Sequence, residues 1–181
     1  EAPTPNMRAA LGDAAWMTQM EKNADIVVMN CYAPLLVNVN PGARQWRPNL
    51  IGYDTLGVYG SPSYYAIKLF STHLGDEILK ATPTDTDVFV SVTRDRASGT
   101  IYVKLVNAAE TAAPVTLDLK GAGALAPTGE ALTLGGDPQG TNSITAPTAV
   151  VPVPSTVTGV GPTFTYDVPA SSVVVLTLKR G

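Results

Sequence analysis

Apolar side chains at the start of the chain recur at helical spacing. Met7, Ala10, Leu11 and Ala14 fall on one face of a 3.6-residue period. Thr4-Pro5-Asn6 reads as the helix start, with Thr4 as N-cap and Pro5 in the first turn, where its missing N–H costs nothing. The spacing predicts a helix to about Lys22. Asn23-Ala24-Asp25 then breaks the pattern, and Ile26-Val27-Val28-Met29 follows as a continuous apolar run, the form taken by a strand covered on both faces of a parallel sheet. A second helix is predicted from Ser61-Pro62, again a cap followed by proline, with Ala66, Leu69, Phe70 and His73 on one side and a stop at Gly75.

Past residue 80 the period changes to two. Val88, Val90 and Val92 alternate with Phe89, Ser91 and Thr93. Residues 94–100 carry turn chemistry ending in Ser98-Gly99, and Ile101, Val103 and Leu105 alternate again, which predicts a hairpin. Val115-Leu117-Leu119, Ala131 to Leu134, Phe164 to Val168 and Val173 to Leu178 continue the series with Gly and Pro between them, as in an antiparallel β-sandwich. The run Pro147 to Pro154 suits an extended edge or a loop rather than a central strand. The fold expected is therefore α/β plus all-β, divided into residues 1–78 and 79–181.

A helix, one buried parallel strand and a second helix cannot cover that strand or satisfy its edges, because parallel strands require neighbours. The first part must complete a larger α/β domain supplied by another chain or by upstream sequence. The connection over residues 32–60 is far longer than the usual two to six residues, a length that is usually functional or disordered. Its aromatic and amide content, with Tyr32, Asn38, Asn40, Gln45, Trp46, Asn49, Tyr53 and Tyr59, argues for function.

Composition narrows the chemistry. The 181 residues are 45% hydrophobic and 15% charged, with a formal charge of -3, which excludes disorder and lacks the basic footprint of a nucleic-acid or anionic-membrane binder. No apolar run approaches the roughly 20 residues that span a bilayer. One cysteine, Cys31, and one histidine, His73, leave no His/Cys metal site and no internal disulfide, so no metal or other cofactor is expected. The chain starts at Glu1 without a leader pattern and reads as a processed or excised piece.

Four runs carry a more specific signal: Thr4 to Met17 (TPNMRAALGDAAWM), Asp25 to Asn38 (DIVVMNCYAPLLVN), Gln45 to Ile51 (QWRPNLI) and Ser63 to Ser71 (SYYAIKLFS). In this order they resemble the C-terminal part of glycoside hydrolase family 51 α-L-arabinofuranosidases, in particular the fungal and actinobacterial branch. The resemblance implies a (β/α)8 catalytic barrel with an attached jelly-roll β-sandwich that removes terminal α-L-arabinofuranosyl units from arabinoxylan, arabinan and related chains with retention. On that plan residues 6–22 are the seventh barrel helix, 26–31 the eighth strand and 61–74 the eighth helix. The long loop then lies at the C-terminal end of a barrel strand, where such enzymes carry their sites. The resemblance also implies secretion to an extracellular polymeric substrate and, as partner, an N-terminal portion of the same enzyme.

A retaining glycosidase needs two carboxyl groups about 5 Å apart. In the family these are glutamates ending the fourth and seventh strands, upstream of Thr4, so no catalytic residue is expected here. Glu1 lacks the family's surroundings, and Glu21, Asp76 and Glu77 near helix ends read as solvated charges. Substrate contacts are assigned to Trp46, as a stacking surface or a structural plug, and to Asn49, Gln45 and Arg47 as hydrogen-bonding groups, with Arg44 beside them. Cys31 ends the eighth strand at the barrel mouth and joins this set. As a nucleophile it would need a base, so it reads as a small buried filler. His73 reads as structural, satisfying the last helical carbonyls. The alternative is a non-catalytic β-sandwich module that binds carbohydrate or supports structure, with Phe89, Tyr102, Phe164 and Tyr166 as its aromatics.

Overall fold

The structure, a computed structural model, describes residues 3–43, 46–84 and 87–181. Two helices, α1 (Met7–Lys22) and α2 (Pro62–Thr72), flank a small sheet built from β1 (Leu36–Asn38), β2 (Ile51–Tyr53) and β3 (Val58–Gly60). The rest is strand: β4 (Glu77–Leu79), β5 (Phe89–Arg94), β6 (Ile101–Asn107), β7 (Ala113–Asp118), β8 (Thr128–Gly135), β9 (Val153–Thr158), β10 (Thr163–Val168) and β11 (Ser172–Leu178). A six-stranded antiparallel sheet in the order β4-β5-β6-β11-β8-β9 faces the pair β10-β7. Between them Val90, Val103, Leu105, Leu117, Phe164, Val174 and Leu176 form a sandwich core, as the period-two pattern requires.

The second face of the large sheet is also covered. Val106, Leu134, Val173 and Val175 pack against Met7, Ala10, Leu11, Ala14 and Met17 of α1 and Ala66, Leu69 and Phe70 of α2. This explains why β11 reads as an unbroken apolar run: Val174 and Leu176 face the sandwich, while Val173 and Val175 face the helices. The molecule is thus three layers deep, and β4, which begins at Glu77, already pairs with β5.

Local chemistry sets the ends of these elements. Helix α1 is capped by Asn6, whose Oδ1 accepts from the N–H of Ala9 at 3.1 Å, and not by Thr4 as the sequence pattern suggests. The loop around residues 138–140 decides the matter, because Gly140 and Pro138 carbonyls accept from the first-turn N–H groups of Met7 and Arg8, both at 2.8 Å. Ser61 caps α2 as expected, with Pro62 behind it, but the helix stops at Thr72, short of Gly75. His73 is its C-cap; the ring meets the Leu69 carbonyl at 2.9 Å and stacks edge-on against Tyr102. In the β5–β6 turn, hydrogen bonds from the Ser98 N–H and hydroxyl hold the Asp95 carboxyl below its ordinary pKa. Gly99 there has φ +71°, and a Cβ would meet Arg180. Pro154 lies on the edge strand β9, consistent with the expectation for that run.

One expected element is not formed within this chain. Residues 26–31 form no strand; Ile26, Val28 and Met29 are 74%, 89% and 86% exposed. The physical reason is the one already implied by the pattern: a parallel strand buried on two faces needs strands on either side, and no described residue supplies them.

Candidate functional site

The described residues of the connection over residues 32–60 are built into sheet and turn. Leu35 and Pro34 carbonyls accept from Ile51 and Leu50, and β1 runs parallel to β2 with Leu36 opposite Ile51. The β2–β3 turn is closed by Asp54, whose Oδ1 accepts from Leu56 and Gly57 at 2.8 and 2.7 Å. Opposite Gly52 lies Tyr59, whose ring would be 2.3 Å from a Cβ at that position, so glycine is required for the tyrosine to bury. Val37, Leu50 and Tyr59 are buried together with Thr4, whose hydroxyl faces the Tyr59 hydroxyl at 3.4 Å. Asn142, itself buried, donates to the Gly60 carbonyl at 2.8 Å and binds Val150 through both its ends, which ties β3 to the sandwich.

The candidates drawn from sequence separate on this frame. Trp46, 72% exposed, Arg47 and Cys31 lie at the surface. Cys31, expected as a small buried filler at the barrel mouth, is exposed, and no described residue forms a barrel strand beside it. Cys31 and Trp46 each lie five residues before the paired positions Leu36 and Ile51, so both enter the parallel pair from the same end. Asn49 is placed differently: it is 2% exposed, its Nδ2 donates to the Leu36 carbonyl, its N–H donates to the Pro3 carbonyl, and its Oδ1 is buried without a partner. It fastens the start of β1 and the N-terminal segment to the loop. Gln45, like Arg44 and Glu1, lies outside the described residues.

Two polar contacts were hidden from the sequence pattern. Burial raises the pKa of Asp13 on α1, with the nearby Ser63 hydroxyl opposing it, and Tyr32 is raised by burial and by the Asp13 charge. The loop thus leaves the unpaired segment against the first half of α1. Glu21, read as a solvated charge, instead pairs with Lys104, a fully buried lysine on β6. In sequence Lys104 stands between Val103 and Leu105, and that alternation carries no sign that its face is covered. Other carboxylates are engaged as well: Glu77 with Arg94 at 2.6 Å and Asp118 with Lys120 at 2.8 Å. Among the described residues no group of three His, Cys, Asp or Glu side chains could hold a metal ion, and no helix is long and apolar enough to cross a membrane.

The three-layer arrangement is that of glycoside hydrolases of family 51. It superposes on an arabinose-bound MgGH51 α-L-arabinofuranosidase with a TM-score of 0.92 at 39% identity, over 100% of this chain and 29% of that one. An α-L-arabinofuranosidase from Thermotoga maritima shares the fold at a TM-score of 0.81 and 17% identity, over 98% of this chain and 39% of that one. Residues 2–172 match the family described as alpha-L-arabinofuranosidase C-terminal domain, and the chain belongs to that family. Alpha-L-arabinofuranosidase A of Aspergillus kawachii is 36% identical over 179 residues, and alpha-L-arabinofuranosidase 2 of Arabidopsis thaliana is 43% identical over 82. The alignments take in 97% and 45% of this chain but only 27% and 12% of those proteins. The chain therefore spans about a quarter of the Aspergillus relative's length.

Proposed function

We propose that this chain is the C-terminal portion of a secreted, retaining α-L-arabinofuranosidase acting on arabinoxylan or arabinan. In this reading α1 is the seventh helix of a (β/α)8 barrel, residues 26–31 its eighth strand and α2 its eighth helix, followed by a jelly-roll domain. Both catalytic glutamates lie on the upstream portion, which binds this chain. The observation that carries the reading is the exposed apolar run Ile26, Val28 and Met29, three large side chains within four residues, followed in the chain by exposed Leu35 and Leu36. Large apolar side chains exposed in close succession are the mark of a covered interface.

The site loop supplies Trp46 as an apolar wall for a sugar ring, with Gln45 and Arg47 as hydrogen-bonding neighbours. Asn49 shapes the loop from inside, through Leu36 and Pro3. A free β-sandwich module is disfavoured by the helices seated across its sheet. The test is complementation. The 181-residue chain should not hydrolyse an aryl α-L-arabinofuranoside, and activity should appear on mixing with the upstream barrel portion, with a matching complex in native mass spectrometry. Trp46→Ala in the complex should raise KM several-fold with little change in kcat. Turnover by the isolated chain, or failure of the two portions to associate, overturns the proposal.

A further inference from the structure

Beneath the helical layer four elements meet at one polar point. Lys104 on β6 is 0% exposed and Glu21 on α1 is 15% exposed in their side chains. The Lys104 ammonium donates to Glu21 Oε1, and the Ser91 hydroxyl on β5 donates to Glu21 Oε2 at 2.6 Å. Ser91 and Lys104 are register partners, so hydroxyl and ammonium stand side by side on the sheet and take one oxygen each. The ammonium also lies 5.4 Å from the ring centroid of Phe70 on α2.

The seam around this point is apolar. Ala10 and Ala14 of α1 share one apolar cluster with Val106, Val173 and Val175 of the sheet, small side chains against β-branched ones. Apolar burial is non-directional and by itself tolerates sliding. The carboxylate does not tolerate it. Moving α1 by one turn displaces Glu21 by about 5.4 Å, which breaks both hydrogen bonds and leaves the lysine buried and unpaired. Burial already disfavours the charged lysine, an effect that Glu21 opposes.

We propose that Glu21, Lys104 and Ser91 form a registration lock that holds α1 at one axial position on the β-sheet. Glu21 is the penultimate residue of α1, so the lock also fixes where the chain departs toward residues 26–32. A buried ion pair contributes little net stability compared with apolar groups of the same volume, but removing one partner is strongly destabilising. Specificity of register is the property such a pair can supply.

The experiment is amide hydrogen exchange, with thermal unfolding, on the 181-residue chain carrying Glu21→Leu, Lys104→Met, both together, or Ser91→Ala. Glu21→Leu should lower Tm by on the order of 10 °C, because it strands a fully buried ammonium. Lys104→Met should lower it less, since Glu21 keeps some access to water. The double variant should recover most of the loss, yet exchange in the C-terminal half of α1 and residues 23–29 should be at least tenfold faster than in the parent. Ser91→Ala, the mildest change, should speed exchange in the same segment several-fold with only a small drop in Tm. A double variant whose α1 exchanges at the parental rate, or a Glu21→Leu variant with unchanged Tm, overturns the proposal.

Discussion

Replacing Phe70 measures whether the helical layer is seated on the sandwich in solution. The ring is 4% exposed in the α1/α2/sheet core and lies under the Lys104 ammonium. Truncating a buried phenylalanine to alanine costs about 3–5 kcal/mol, and removing the aromatic face from a cation near the outer limit of cation–π range, 5.4 Å from the centroid, adds about 1 kcal/mol. Phe70→Ala should therefore lose roughly 4–6 kcal/mol, a large part of the 5–15 kcal/mol typical of a domain. Phe70→Leu separates the two effects. It keeps most of the apolar volume, losing about 1 kcal/mol of packing together with the same cation–π contribution, for roughly 2 kcal/mol. Guanidinium chloride unfolding followed by far-ultraviolet circular dichroism gives both values, and a shared core predicts a single transition with an unchanged m-value. A Phe70→Ala cost below about 1 kcal/mol, the scale of an ordinary surface change, or a parent that unfolds in two separate steps, would refute the three-layer packing.

Two further outcomes follow from buried polar groups. Asn107 is 3% exposed; its Nδ2 donates to the carbonyls of Thr111, Val168 and Pro169 at 2.9–3.2 Å, and its Oδ1 accepts from Ala109. Asn107→Asp sets a carboxylate against three carbonyl oxygens and should cost about 3 kcal/mol or more at neutral pH, with the penalty easing in acid as the carboxyl regains a proton to donate; equal Tm losses at pH 4 and pH 7 would count against it. Asp13 has a pKa raised mainly by burial, so the folded state holds the proton more tightly than the unfolded one, whose group titrates near 3.8. Its contribution is fully present below that value and is lost as pH rises through the folded pKa, so Asp13→Asn should raise Tm at pH 7 and leave it nearly unchanged at pH 3.

The sequence was most informative where one local signal matched one local structure. Ser61-Pro62 starts α2 because cap and proline act within a single turn, and the hairpin of β5 and β6 follows its alternation and its Gly99 turn. Helix α1 was legible in its apolar stripe but not at its first residue: Thr4 and Asn6 are both competent caps, and the choice falls to carbonyls more than 130 residues away in the chain. The run Ile26 to Met29 has the composition of a covered strand and lies uncovered, since composition cannot supply its neighbours. In the candidate site, Trp46 and Arg47 are exposed. Asn49 turned inward because an amide that bonds a backbone carbonyl looks, in sequence, like one that bonds a ligand. Lys104 was invisible because alternation tells which side of a strand a residue takes, not whether that side is wet.

The double-sided burial of β6 and β11 bears on inheritance as well as on stability. An appended module can be moved between enzymes when its surface closes on itself, and this sandwich does not close. Cut free before β4, it would carry Val106, Leu134, Val173 and Val175 into water beside a lysine with no counter-ion. Recombination that joined the sheet to a foreign catalytic domain would have to bring both helices along. The β-domain and the helices that precede it are accordingly expected to travel, duplicate and disappear as one unit, together with the barrel to which those helices are assigned above.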